Sequence, residues 1–201
     1  PHGNVDGSAF PSHLTTLIKK IEPAFSGLYD RAQISICYPG YPKPMNDESI
    51  SAFNYRKNRF AAHLDGILPI GPRRRRFLME HHALIFGIPI NFSGKDSSPC
   101  VIWEGSHKVV KDEFRSLLVS KGISNLQGED VTEFYSSLRK KIFASCKVKP
   151  VWLPLGHSYL INRLTLHGIL PWVGDGENTQ INRTIAYFRP HLIEGHDAWL
   201  N

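Results

Sequence analysis

The chain reads as a mainly β protein, an antiparallel barrel or sandwich with helices on its outside. Three observations point there. Short apolar runs are punctuated by Gly, Pro, Ser and Asp clusters; two-residue alternation recurs in them; and helical spacing is confined to the N-terminal end and a stretch at about 110–146.

Taken in order, Leu14, Leu17, Ile18, Ile21 and Phe25 recur at helical spacing behind Ser12, a plausible N-cap, and predict an amphipathic helix over 12–29. Alternation takes over at 33–38, with Ile34 and Ile36 on one face, and ends at the turn-rich Pro39-Gly40-Tyr41-Pro42. Residues 60–68, 77–92 and 100–103 read as successive strands. Within 110–146, Phe114, Leu117 and Leu118, then Phe134, Leu138 and Ile142, return to helical spacing, and Asp130 with Glu133 fits a capping-box-like start. Strands resume at 151–153, 158–161, 164–167 and 181–188. No repeat or long polar linker divides the chain, so the expectation is one domain over 1–201 with a helical insertion at about 110–146.

At 201 residues such a domain buries roughly 70% of the surface its unfolded chain would expose, so it needs no disulfide or structural zinc. Apolar residues at 41% and charged residues at 21% describe a globular chain rather than a disordered one. The longest apolar runs, such as 83–90, fall short of the roughly 20 residues a membrane span requires. Pro1-His2-Gly3-Asn4 lacks the basic start and apolar stretch of a secretory signal. Cys37, Cys100 and Cys146 lie far apart with no CxxC pair, which points to free thiols and to the cytoplasm or another reducing intracellular compartment. The net charge of +6 suits a nucleic-acid partner, a membrane surface or an anionic substrate. Four of those charges sit together at Arg73 to Arg76, just after Gly71-Pro72, where a hairpin tip is expected.

The chemistry is concentrated in His63-Leu64-Asp65. On a strand, a period of two points the imidazole and the carboxylate to the same face. Such a pair forms two corners of a 2-His-1-carboxylate triad, which leaves positions on iron(II) open for substrates and O2. His167, after Leu164-Thr165-Leu166 on a later strand, is the candidate third ligand. Arg183 alternates onto the face of Ile181, Ile185 and Tyr187, where a buried guanidinium needs an anionic partner. A dicarboxylate cosubstrate fits that need through a bidentate pair, and so does an Asp or Glu of the chain, or solvent.

Taken together, these residues resemble the phytanoyl-CoA dioxygenase-like family of iron(II)/2-oxoglutarate oxygenases, from about Phe60 to Pro190. The parts arrive in that family's order: HLD at 63–65, the strand and turn Cys100-Val101-Ile102-Trp103-Glu104-Gly105-Ser106-His107-Lys108, Gly156-His157-Ser158-Tyr159-Leu160, His167, then Arg183. Glu104 stands where the family usually has Pro, and His157 where Asp is common. The resemblance implies a double-stranded β-helix (jelly-roll, cupin-like) fold. It implies that His63, Asp65 and His167 bind Fe(II) and Arg183 binds 2-oxoglutarate, with O2 as cosubstrate and succinate and CO2 as products. Because related halogenases replace the carboxylate ligand with a small residue, Asp65 favours hydroxylation.

Other residues are expected around this site. Thr165, Tyr38 and Asn91 are candidates for cosubstrate contact, and His82 and Trp103 for substrate contact, although core packing is the commoner role for a Trp. His81 and His82 cannot both face one metal, being adjacent. The expected partner is a small or medium anionic molecule. Two rival readings are a nucleic-acid oxygenase of the same cofactor class and a catalytically silent binding protein on the same barrel. The first is weakened by Ile185, which stands where base demethylases carry Asn; the second by retention of all three ligand-type residues and Arg183.

Overall fold

The computed structural model describes residues 11–173 and 182–201. Among them the chain is mainly β-sheet with four helices: α1 (Ser12–Ile21), α2 (Ile50–Asn58), α3 (Ser106–Lys121) and α4 (Thr132–Ser145). The strands are β1 (Phe25–Tyr29), β2 (Gln33–Cys37), β3 (Ile67–Ile70), β4 (Arg75–Leu78), β5 (Leu84–Pro89) and β6 (Cys100–Trp103). They continue with β7 (Val148–Val151), β8 (Tyr159–Asn162), β9 (His167–Ile169), β10 (Arg183–Phe188) and β11 (Pro190–Leu192).

Every pairing is antiparallel, as expected. A four-stranded sheet runs β2-β10-β5-β8 and a three-stranded sheet runs β7-β6-β9. Ile85, Tyr159 and Ile161 of the first sheet pack with Cys100 of the second in one buried cluster, with Tyr187, Ile102 and Val151 against it, so the two sheets meet face to face. A larger core lies where α1, α3 and α4 cover the sheets, built on Ile18, Trp103, Val110, Phe114, Leu138, Ile142 and Trp199.

The structure corrects several sequence expectations. The N-terminal helix stops at Ile21 instead of continuing to 29, because Pro23 drives Glu22 out of the helical region (φ −132°, ψ 90°), and Phe25–Tyr29 becomes a strand. The single strand read over 77–92 is two, β4 and β5. His167 opens its strand rather than closing it, and α3 starts at Ser106, four residues before the expected 110. Ile34 and Ile36 do share a face of β2, but it is the exposed one on an edge strand. The opposite face, with Ser35 and Cys37, turns inward to meet Arg183. Of the strand expected over 181–188, residues 183–188 are observed as β10, and Ile181 lies outside the described residues, as do Pro1 to Asn4. The hairpin foreseen at Gly71-Pro72 is present between β3 and β4. Cys37, Cys100 and Cys146 are free thiols. No helix among the described residues is long and apolar enough to cross a membrane.

Candidate metal centre

The HLD segment is not part of a regular strand. His63 forms a single antiparallel bridge with His167, with His63 N–H donating to the His167 carbonyl at 2.9 Å and His167 N–H donating back at 3.1 Å. Alternation survives within the bridge: Leu64 is buried in the core, while His63 and Asp65 project to the other side.

Two glycines permit this crossing. A Cβ on Gly168 would come within 2.2 Å of the Phe60 carbonyl, and a Cβ on Gly66 within 2.3 Å of the Glu80 carbonyl, so each ligand-type residue of the pair His167 and Asp65 is followed by a position that only Gly can fill. Upstream, Phe60 and Ala61 both adopt left-handed backbone, at φ +56° and +53°, a costly conformation for residues with a Cβ. It places the Ala61 carbonyl under the His63 ring.

The three ligand-type side chains converge. The imidazole nitrogens and a carboxylate oxygen of His63, Asp65 and His167 lie within 4.8 Å of one another. Asp65 Oδ1 is 3.3 Å from His63 Nε2 and 3.5 Å from His167 Nε2, and the two rings are 4.4 Å apart. His63 Nδ1 donates to the Ala61 carbonyl at 2.9 Å, and His167 Nδ1 donates to the Thr165 carbonyl at 3.0 Å. With both Nδ1 protons committed to backbone, both Nε2 atoms are left to face Asp65, with room for a shared proton or a cation between them. That backing is characteristic of metal-ligating histidines.

The second carboxylate oxygen is also held: Arg189 Nε donates to Asp65 Oδ2 at 2.5 Å, leaving Oδ1 toward the histidines. Arg189 was not read from the sequence as part of this group. Burial resists ionisation of Asp65, yet His167 and His63 outweigh it and hold the carboxyl well below its usual range. Desolvation by the atoms packed on its inner side disfavours charge on His63, but the hydrogen bond and charge of Asp65 prevail and raise its pKa. His63 is 48% exposed, whereas Asp65 and His167 are buried, so the group opens to solvent on the His63 side. Two His nitrogens and one carboxylate oxygen, each oriented from behind and open on one side, suit a divalent ion that retains free positions.

Arg183 is almost fully buried, and all its partners are neutral. Its Nε donates to the Ser98 carbonyl at 2.9 Å, Nη1 to Ser35 Oγ at 3.2 Å and Nη2 to Cys37 Sγ at 3.2 Å. No carboxylate of the described residues pairs with it. Arg163 is just as deeply buried but donates to Glu22 and to the carbonyls of Trp199, Ala83, Ala198 and Asn201. One buried guanidinium is thus paired with an acid of the chain, and the other has none among the described residues. Cys100 senses both Arg183 and Asp65: burial pushes its thiol up to about 11, with Arg183 favouring ionisation and Asp65 opposing it.

The remaining candidates fall elsewhere or act differently. Thr165 contributes its carbonyl to His167. Asn91 spends its amide on the Asn182 carbonyl and side chain and on the Thr184 N–H, tying the end of β5 to β10. Tyr38 is exposed and lines none of the cleft beside the triad. Trp103 is core, packed between Phe60 and Phe143. His82 is buried in a second group, where its Nε2 donates to Asp30 at 2.8 Å and lies 3.7 Å from Glu80.

An open cleft of about 860 Å³ lies beside the triad; His63, Asp65 and Arg189 line it, as do Arg31, Arg74 and Arg76. The helices at 106–145 are not remote from it. Tyr135 of α4 accepts a hydrogen bond from Leu64 N–H at 2.8 Å, which fixes the middle residue of HLD, and burial raises the Tyr135 pKa to about 12.

No family model matches the chain, and no curated protein is significantly similar to it. Among solved structures it is similar to AviO1 from Streptomyces viridochromogenes Tue57, at 15% identity and a TM-score of 0.46, over 90% of this chain and 58% of that one. It is also similar to an N-substituted L-amino acid dioxygenase from Burkholderia ambifaria AMMD, at 17% identity and a TM-score of 0.39, over 90% and 60%. The alpha-KG complex of that dioxygenase matches at 16% identity and 0.37, over 90% and 60%. The chain spans about three fifths of the length of these structures.

Proposed function

We propose that this chain is an iron(II)- and 2-oxoglutarate-dependent dioxygenase of the phytanoyl-CoA dioxygenase-like kind, with a jelly-roll fold formed as one domain and α3 and α4 inserted in it. The observation that carries the reading is the convergence of His63, Asp65 and His167 with every other polar atom of the three side chains already occupied: Nδ1 of each ring by a carbonyl and Asp65 Oδ2 by Arg189. The buried Arg183, with no acid beside it among the described residues, supports an anionic cosubstrate.

In this reading His63, Asp65 and His167 hold Fe(II), which when bound couples O2 to the decarboxylation of 2-oxoglutarate to succinate and CO2 and to oxidation of the substrate. The protein supplies position. Ala61 and Thr165 set the tautomers of the two imidazoles, Arg189 fixes which Asp65 oxygen is presented, and Arg183 receives the far carboxylate of 2-oxoglutarate in a charge-assisted pair. The carboxylate ligand is retained, and with it hydroxylation is the favoured outcome. The substrate is a small or medium anionic molecule that enters through the cleft.

The test is succinate release from 2-oxoglutarate in the presence of iron and ascorbate. Wild type should turn over; His63→Ala, a change at an exposed side chain, should lose activity by about three orders of magnitude. Arg183→Met should raise the KM for 2-oxoglutarate roughly tenfold to a hundredfold. Equal release by wild type and His63→Ala would leave a binding protein in place of an enzyme.

A further inference from the structure

The four consecutive arginines divide by what they touch. Arg75 points from the β3–β4 hairpin toward α4, pairing with Asp130 at 2.5 Å and with both oxygens of Glu133 at 2.5 and 2.7 Å. The Arg76 backbone is gripped on both sides by the same segment: its N–H donates to Thr132 Oγ1 at 2.7 Å and its carbonyl accepts from Val131 N–H at 2.9 Å. Arg74, in the turn, and Arg76, whose Nη1 also donates to the Ile67 carbonyl at 3.4 Å, line the cleft beside His63 and Asp65, where Arg31 joins them. Since Tyr135 of the same helix also holds Leu64, α4 sets the hairpin and the triad in one frame.

No carboxylate of the described residues pairs with Arg31, Arg74 or Arg76. The acids that line the cleft are already engaged. Asp65 is held by Arg189 and the two histidines, Asp30 by His82 and His191, and Glu80 lies 3.7 Å from His82. Arg76 is half-buried; burial pushes its pKa down, and the neighbouring Arg139 and Arg74 charges add to the effect. Arginines that line one cleft with no carboxylate partner among the described residues, one of them on a backbone fixed at both polar groups, suit an oxyanion.

We propose that Arg74 and Arg76, assisted by Arg31, bind an anionic oxygen group of the substrate, a carboxylate or a phosphate, at the mouth of the cleft that leads to His63 and Asp65. This deepens the oxygenase reading and rests on it for the word substrate.

Titration calorimetry on the full metal-free chain tests the site without requiring turnover, with inorganic phosphate and propionate as separate probes. At least one probe should bind wild type, weaken about tenfold in Arg74→Gln/Arg76→Gln and weaken partly in Arg74→Gln. Arg73→Gln removes the same charge from the same turn but outside the cleft, and should stay within about twofold of wild type. The probe that binds identifies the group. The proposal is overturned if neither probe binds, if the double variant binds as wild type does, or if Arg73→Gln weakens binding as much. Should the double variant fail to fold, Arg74→Gln, at the exposed tip, decides alone. Phosphate binding at these arginines by a wild type that releases no succinate would sink the oxygenase reading and leave the anion site standing.

Discussion

Two groups of histidine and carboxylate border the same cleft, and what stands behind each ring separates them. In the first, His63 and His167 commit Nδ1 to backbone carbonyls, so Nε2 of each ring is left beside Asp65 Oδ1 as a ligand-type atom. In the second, Asp30, Glu80 and His82 also bring ligand-type atoms within 4.8 Å, but both Asp30 oxygens accept from imidazoles, His82 at 2.8 Å and His191 at 3.1 Å. His82 Nδ1 is buried with no partner. Burial opposes ionisation of Asp30, but the hydrogen bonds from His82 and His191 prevail and lower its pKa. The same residue types thus suit a cation in one place and are tied to their own acid in the other. The presence of an acceptor behind each imidazole decides which.

The largest change that should sharpen this contrast is Arg189→Gln. It frees Asp65 Oδ2 to compete for the position of Oδ1, and ferrous affinity should fall roughly tenfold to a hundredfold, the usual cost of removing an orienting partner. Calorimetric metal titration checks it; an unchanged affinity would mean that Arg189 does not orient the carboxylate. Next is Asp30→Ala, which strands the buried His82 donor. It should cost roughly 1–3 kcal/mol of stability in denaturant unfolding while leaving the metal affinity alone. A loss of metal affinity there would erase the distinction between the groups.

The smallest effect concerns His81, on the flank of the second group. Burial, then the charges of His196, His82 and His191, hold its pKa down to about 4, below the ordinary imidazole value of 6.5. Between those values the unfolded chain takes up a proton that the folded chain refuses, so this contribution to stability is complete above about pH 6.5 and is lost as pH falls toward 4. The ring is only half-buried, which reduces the effect to roughly 1 kcal/mol. His81→Gln should flatten the melting temperature across that window; an unaltered slope would show that other groups govern it.

Much of the site was legible in the sequence because local spacing encodes it: two ligand-type residues one apart, a distant His, and an Arg on an alternating strand. What stood behind them was not. Ala61 and Thr165 act through carbonyls, which any residue possesses, and Arg189 reaches Asp65 by a tertiary contact between residues far apart in the chain. Gly66 and Gly168 were silent because the crowding that demands them comes from Glu80 and Phe60. In the fold, the β-rich layout and the two helices after the Cys100 strand were readable from periodicity. The exposed face of β2 was misleading, since apolar Ile34 and Ile36 pattern as core while Ser35 and Cys37 turn inward to serve Arg183.

One of the two groups, and not its neighbour, is expected to bind the metal. Anaerobic equilibrium dialysis against ferrous ion of wild type, Asp65→Ala and Asp30→Ala tests it most directly. Wild type and Asp30→Ala should each hold one ion per chain, and Asp65→Ala none at the same concentration. Iron retained by Asp65→Ala, or lost from Asp30→Ala, would contradict it.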